Sequence, residues 1–343
     1  MRISIGILAR NEAKNIGRTL ASLAAQSLLH CPPEWGSHVE VICVPNGCTD
    51  DTADVARAAC KTQFSDAANL PISWAVHELK DGGKCHAWNQ FVHTFADSAA
   101  DYVILLDADI QMAHDGVLQA LVETLRDTNH AVAAAGLLVK DLAFKSRKSV
   151  VDRLSVFVSR LTHATMPGIA GGLYCVRGDT IRHIWLPAGL LGEDGFMRAM
   201  IVTSEFTQKE APDRLIRAER AVAIYEPERK LGRIFKHSRR LQVGTWMNAI
   251  IYTKLFAESN AHRPAGSLIH EWNAADPQWA IRLISEDVSH GYLFRLFLWH
   301  RVRSYGRSRI RFLALPLAIM LLPWDAAVVW SSSGELRRRK FEW

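Results

Sequence analysis

The chain has 343 residues and contains no Cys-x-x-Cys pair; its six cysteines, at positions 31, 43, 48, 60, 85 and 175, are scattered. That pattern argues against a zinc site or a disulfide framework and points to a reducing compartment. No Gly-x-Gly-x-x-Gly follows the first strand-like run. Gly82-Gly83-Lys84 is not a phosphate loop of the Walker type, because Glu78 stands where Gly is required and Cys85 where Ser or Thr is required. The N-terminus enters a strand without a basic segment and apolar core, so a cleaved signal peptide is not expected. Long apolar runs are also lacking. The run Phe312 to Leu322 is far shorter than the roughly 20 residues that span a bilayer.

Hydrophobic residues make up 49% of the chain, enough to bury one large core of about 230 residues and a smaller second unit. Charge is unevenly spread. From Arg229 onward 19 Lys and Arg stand against 8 Asp and Glu, a net of +11, which leaves a net of −5 before it. Seven of the 11 Trp also lie in that last third.

The densest chemistry is Asp107-Ala108-Asp109, immediately after the apolar run Tyr102-Val-Ile-Leu-Leu106. Two carboxylates at i and i+2 beyond a buried strand suit a divalent metal at a sheet's carboxyl edge. Hard oxygen ligands favour Mg²⁺ or Mn²⁺, which can bridge to a nucleotide diphosphate. An acidic pair there also serves as a helix cap or turn, so the motif alone leaves both readings open.

Three further units of strand, polar loop and helix precede it. Ile3 to Leu8 leads into Ala9-Arg10-Asn11-Glu12 and a helix from about Lys14 to Gln26, with Ile16, Leu20 and Leu23 on one face. Val39 to Val44 leads into Pro45-Asn46-Gly47-Cys48-Thr49-Asp50 and a helix through Val55, Ala56 and Ala59. Ile72 to Val76 precedes Lys80-Asp81-Gly82-Gly83-Lys84 and a helix carrying Trp88, Asn89 and Phe91. Such units build a parallel sheet whose crevice lies outside the strands' carboxyl ends, so all four polar loops should converge on one edge.

Further along, Gly192-Glu193-Asp194-Gly195 reads as the acidic first turn of a helix compensating its dipole. A carboxylate at such a turn beside a cleft is also placed to act as a general base. Gly171-Gly172, before an alternating run, suggest either backbone brought close to a ligand or an ordinary turn into a strand.

In these motifs the chain resembles the family 2 glycosyltransferases from Ile3 to roughly Trp246. The resemblance implies an α/β GT-A fold, the Rossmann-like domain of nucleotide-diphospho-sugar transferases, with a helical C-terminal region. The charge and Trp shift at Arg229 sets the expected division: a transferase domain at 1–228 and a basic, Trp-rich, mainly helical, membrane-associating region at 229–343. Asn11-Glu12 is similar to the Asn-Glu after the family's first strand, and Asn46-Gly-Cys-Thr-Asp50 to its Asp/Asn-Gly-Ser-Thr-Asp loop. Gly83-Lys84 with Asn89 is similar to its Gly-Lys-x-x-Ala-x-Asn segment, Asp107-Ala-Asp109 to its metal motif, and Gly192-Glu193-Asp194 to its catalytic-base motif.

The site residues implied for donor and nucleotide are therefore Ala9, Asn11, Glu12, Asn46, Asp50, Lys84, Asp107, Gly171 and Gly172. Asp109 and Asp107 would hold Mg²⁺ or Mn²⁺, with His237 as a third ligand; the competing reading of His237 is a solvated basic helix face. Asp194 would be the base of an inverting displacement, with Glu193 positioning it or binding acceptor. Pro45 and Cys48 depart from the family's Asp and Ser. The Gln-x-x-Arg-Trp motif of processive synthases is not intact in Arg239-Arg-Leu-Gln-Val-Gly-Thr-Trp246, so one sugar per encounter is expected.

The expected donor is a UDP-sugar and the expected acceptor a glycan or lipid-linked hydroxyl. A non-catalytic nucleotide-sugar-binding or scaffold protein remains an alternative, as does a nucleotidyltransferase, although the Gly-rich, Arg-containing first loop of the latter is missing. Arg and Trp interleaved around the apolar run Phe312 to Leu322 suggest an anionic membrane surface, with a buried helix as the competing reading. Nucleic acid is not expected, because no recognised module for it accompanies the basic residues. The expected location is cytoplasmic, peripheral at the inner face of the cell membrane.

Overall fold

The computed structural model describes residues 1–30, 38–64, 72–144, 168–169, 172–286, 299, 302–303 and 311–338. Its strands are β1 (Arg2–Ala9), β2 (His38–Pro45), β3 (Ile72–Val76), β4 (Tyr102–Asp107), β5 (Ile110–Met112), β6 (Ala133–Lys140), β7 (Leu173–Arg177) and β8 (Leu215–Tyr225). The helices are α1 (Ile16–Ala24), α2 (Ser27–His30), α3 (Thr52–Phe64), α4 (Lys84–Gln90), α5 (Val117–Arg126), α6 (Gly178–Ile181) and α7 (Glu193–Val202). They continue with α8 (Leu231–Glu258), α9 (Ala265–Ala275), α10 (Trp279–Glu286), α11 (Arg311–Met320) and α12 (Leu322–Arg338).

The described strands form one sheet in the order β3-β2-β1-β4-β7-β6-β8-β5. Strands β3, β2, β1 and β4 are mutually parallel, while β7 runs antiparallel to both β4 and β6. Strands β1 and β4 lie in its middle and are covered on both faces, which explains why they read as near-continuous apolar runs. Alternate residues then divide between two cores. Ile3, Ile5, Ile7, Ile104 and Leu106 pack under α1, α3 and α5, whereas Leu8, Val103 and Leu105 share a cluster with α4 and α7.

Helix α8 belongs to that second cluster. Its buried Val243, Trp246, Met247, Ile250, Ile251 and Leu255 recur at helical spacing, and all join the core that covers β4 and β7. Ala265 and Ile269 of α9, Trp279 and Ile284 of α10 and Val329 of α12 complete it. Among the described residues no helix is long and apolar enough to cross a membrane.

Candidate active site

Parallel pairing of β3, β2, β1 and β4 brings four strand ends to one edge, and with them the four polar loops. Asn46 fastens three of these loops together. Its side chain donates to Ala9 O at 2.9 Å and accepts from Gly83 N at 3.0 Å, while its backbone N–H also donates to Ala9 O. Only 2% of Asn46 is exposed. Gly47, at φ +53, occupies the left-handed region, and a Cβ there would lie 2.5 Å from Gly82 Cα. Ala9 and Asn46 thus hold the first three polar loops together.

The surface of the same edge is polar. Asn11, at φ +56, accepts from Thr49 N at 2.8 Å, which ties the first loop to the second. Asp50 caps α3 by accepting from Thr52 N at 3.1 Å and also accepts from Ala13 N at 3.3 Å. Glu12 accepts from Asn15 at 2.7 Å. Burial raises its carboxyl pKa, and the nearby charges of Asp109, Asp107 and Asp50 raise it further.

Lys84 joins the two acidic motifs. Its Nζ lies 2.9 Å from Asp107 Oδ1 and 3.0 Å from Glu193 Oε1. Desolvation opposes the ammonium charge, but Asp107, Glu193 and Asp194 outweigh it and hold the Lys84 pKa well above its ordinary value. Glu193 is buried, which by itself would favour the neutral acid; Lys84 and Arg240 overcome this and keep it ionised. Asp109 behaves differently. Its rim is open to solvent, yet desolvation by the surrounding protein raises its pKa and the charge of Asp107 adds to the effect.

Asp194, half-buried, follows Glu193 in the first turn of α7. That turn rests on α8, a contact that none of the sequence motifs signals. Asn248 Nδ2 donates to Gly192 O at 2.7 Å and the Tyr252 hydroxyl donates to Gly195 O at 2.8 Å. The sequence signal was present as the spacing Gly244, Asn248, Tyr252 on one helix face, masked by the stronger signal of the charge run.

The remaining expected residues are dispersed or occupied. Gly172 O accepts from Asp107 N at 3.0 Å, and a Cβ on Gly172 would lie 2.8 Å from Leu138, so this glycine supports the metal motif by close packing. Gly171 lies outside the described residues. His237 is exposed near the start of α8, and partial desolvation by the surrounding protein together with the charge of Arg240 lowers its pKa. Among the described residues no three His, Cys, Asp or Glu side chains are grouped to hold a metal, so His237 does not stand with Asp107 and Asp109 in a three-ligand cluster.

The donor set nevertheless fits a hard divalent ion. Asp109 presents carboxylate oxygens in a patch that Asp107, Glu12 and Asp50 make negative, and a divalent ion there would offset the desolvation and the Asp107 charge that raise the Asp109 pKa. Magnesium-like ions commonly take only one or two carboxylates and complete their shell with water and substrate phosphate.

A sequence profile of Glycosyl transferase family 2 matches residues 4–175. Among solved structures the chain is similar to the mannosyltransferase PcManGT from Pyrobaculum calidifontis in complex with GDP-Man and Mn²⁺. The TM-score is 0.56 at 17% identity, covering 99% of this chain and 88% of that one. This likeness shows the fold, which is GT-A with a helical C-terminal region. Glucosyl-3-phosphoglycerate synthase from Mycobacterium tuberculosis, in complex with Mn²⁺, UDP-Glc and phosphoglyceric acid, aligns at TM-score 0.44 and 17% identity over 72% of this chain and 79% of that one. The Bifunctional protein GlmU of Legionella pneumophila (strain Corby) is 36% identical over 78 residues, 23% of this chain and 16% of that protein's length.

Proposed function

The chain belongs to glycosyl transferase family 2, and from that premise we propose an inverting, metal-dependent transferase that adds one sugar per encounter from a nucleoside diphosphate donor to an acceptor hydroxyl. The observation that carries this reading is the bridge of Lys84 to Asp107 and Glu193, which joins the metal motif to the base motif at the sheet's carboxyl edge.

Asp109, with Asp107 assisting, holds Mg²⁺ or Mn²⁺; PcManGT and glucosyl-3-phosphoglycerate synthase are each described with Mn²⁺. When bound, the ion neutralises charge on the leaving diphosphate. Asn11, Glu12 and Asp50 line the nucleotide side of the cleft, and Lys84 adds positive charge there. Asp194 accepts the proton of the attacking hydroxyl. Glu193, held ionised by Lys84, fixes the turn that carries Asp194.

The donor is a UDP-sugar and the acceptor a glycan or lipid-linked hydroxyl reached at the inner face of the cell membrane. The net +11 beyond Arg229 and the exposed Leu231, Ile319, Met320 and Trp330 support the membrane surface. Residues 1–228 would carry the metal, nucleotide and base motifs of the transferase domain, and 229–343 would close its core through α8 while its outer basic surface meets lipid.

Thermal shift against UDP- and GDP-sugars with and without Mn²⁺ tests the reading. A ligand that binds only the native state raises stability with the logarithm of its concentration. A UDP-sugar should raise the melting temperature only when Mn²⁺ is present; no response to any nucleotide sugar would count against the transferase.

A further inference from the structure

Arg240, Gly244, Asn248 and Tyr252 follow one another along α8 at intervals of four residues, which sets them on one stripe of the helix. That stripe meets the first turn of α7. At Gly244 the two backbones touch, since a Cβ there would lie 2.8 Å from Gly192 N, and one on Gly192 would lie 2.7 Å from Gly244 O. Beyond this contact, Asn248 and Tyr252 donate to the carbonyls of Gly192 and Gly195. Those carbonyls bracket Glu193 and Asp194 in the chain.

We propose that this stripe is the positioning element for the Glu193–Asp194 pair, with Asn248 and Tyr252 as positioning residues that act through the backbone of α7. A helix's first turn is its least secure, and here it contains Gly195, whose freedom costs roughly 1 kcal/mol relative to Ala. The Gly192 carbonyl already accepts from Phe196 N, the first bond of α7, so the Asn248 amide is a second donor to the same oxygen. Attachment of α8 to the core does not require these polar contacts, because Val243, Trp246, Met247, Ile250, Ile251 and Leu255 already bury its apolar face. What the contacts add is a fixed place for the turn. A displacement of about 1 Å at a reacting group can cost about 10²-fold in rate, so a turn left to fray would disable the base. Burial raises the Tyr252 phenol pKa, which keeps it a donor throughout the neutral range. Arg240, one turn before Gly244, contributes to keeping Glu193 ionised.

The catalytic consequence rests on the transferase reading, whereas the clamp itself is independent of it. The test uses the full chain with Tyr252→Phe and Gly244→Ala, and with Thr253→Val as a control off the stripe. Amide hydrogen exchange over residues 192–199 should rise about tenfold in the first two variants and stay unchanged in the third. With whichever of UDP-glucose and GDP-mannose is turned over with Mn²⁺, release of the nucleoside diphosphate should fall about tenfold or more in Tyr252→Phe, with nucleotide affinity within about twofold. Combined with Asp194→Asn, Tyr252→Phe should cause no further loss, because both act on one step. Unchanged exchange at 192–199, or losses that multiply in the double variant, would overturn the proposal. If the wild type turns over neither donor, the transferase reading fails and the exchange measurement still decides the clamp.

Discussion

Lys84 Nζ lies 2.9 Å from Asp107 Oδ1, so the chain itself compensates the first carboxylate of the Asp-Ala-Asp turn. The second differs: among the described residues Asp109 has no ion pair, and although it is exposed, desolvation by the surrounding protein together with the Asp107 charge raises its pKa. Two carboxylates two residues apart therefore stand in different electrostatic settings, Asp107 paired with Lys84 and Asp109 without a cationic partner among the described residues.

Asp109→Asn should abolish Mn²⁺-dependent UDP binding while slightly raising the metal-free melting temperature at pH 7. A carboxyl whose folded pKa is raised contributes stability fully present below its ordinary value of 3.8, lost as pH rises through the folded value. The Asn variant keeps that contribution at all pH. Melts at pH 5 and pH 7 with and without MnCl₂ and UDP check this; a retained Mn²⁺ requirement would place the metal elsewhere.

Lys84→Met removes the ion pair of Asp107 and leaves buried Glu193 with the weaker influence of Arg240 in place of its direct partner. Stability should fall by about 2 kcal/mol, less than the 3–5 typical of a fully buried pair because the Lys84 side chain is 24% exposed. In the wild type the depressed Glu193 pKa stabilises above its ordinary value of 4.5, and that contribution is lost as pH falls through the folded value. The variant should instead gain stability on acidification, because burial then favours protonated Glu193. Urea titrations at pH 4 and pH 7 would show it, and an unchanged wild-type pH profile would mean that the pair carries no such energy.

Asp194→Asn separates binding from chemistry. Donor affinity should stay nearly normal while transfer falls about 10²-fold or more, the range for loss of a general base. Substantial remaining turnover would move the base, although Glu193 is poorly suited to replace it while paired with Lys84.

The convergence of the loops was legible in the sequence because each strand run ended in a polar loop before a helix, and parallel pairing follows from such units. The runs Ile3–Leu8, Val39–Val44, Ile72–Val76 and Tyr102–Leu106 all lie inside observed strands. What escaped was contact between distant segments. Nothing local in Asn46 distinguishes an amide that meets a nucleotide from one that closes three loops, since the difference is its burial and the Ala9 and Gly83 groups it finds there. Likewise the charge surplus from Arg229 onward suggested a separate region, yet α8 interleaves that surface charge with an apolar stripe belonging to the main core.

Asn46→Ala should cost about 1–3 kcal/mol, because Ala9 O loses one donor and the buried Gly83 N–H is left without its acceptor. Nucleotide affinity should fall with it, through loosened loops. Asn46→Asp restores the acceptor for Gly83 but sets a buried carboxylate oxygen against Ala9 O, so at pH 7 it should not recover the stability. If denaturant titration gave Ala and wild type the same midpoint, the clamp would be energetically idle.

The membrane reading depends on the outer surface of the C-terminal helices, where Ile319, Met320 and Trp330 are exposed by 55%, 66% and 76%. Truncation after Tyr305 is a poor test, since α12 is packed on α8: the Phe235 and Trp324 rings lie 5.4 Å apart and Val329 is buried in the main core. Point changes avoid that damage. The full chain should sediment with vesicles containing anionic lipid, less so in high salt, because screening weakens the electrostatic part and leaves the apolar part. Met320→Ser combined with Trp330→Ser should weaken the salt-resistant part by about tenfold, as expected from removing exposed apolar area that would otherwise enter the interface, while the melting temperature holds. Should the wild type stay in the supernatant with anionic vesicles at low salt, the exposed residues serve a protein interface instead, and a lipid-linked acceptor loses its main support.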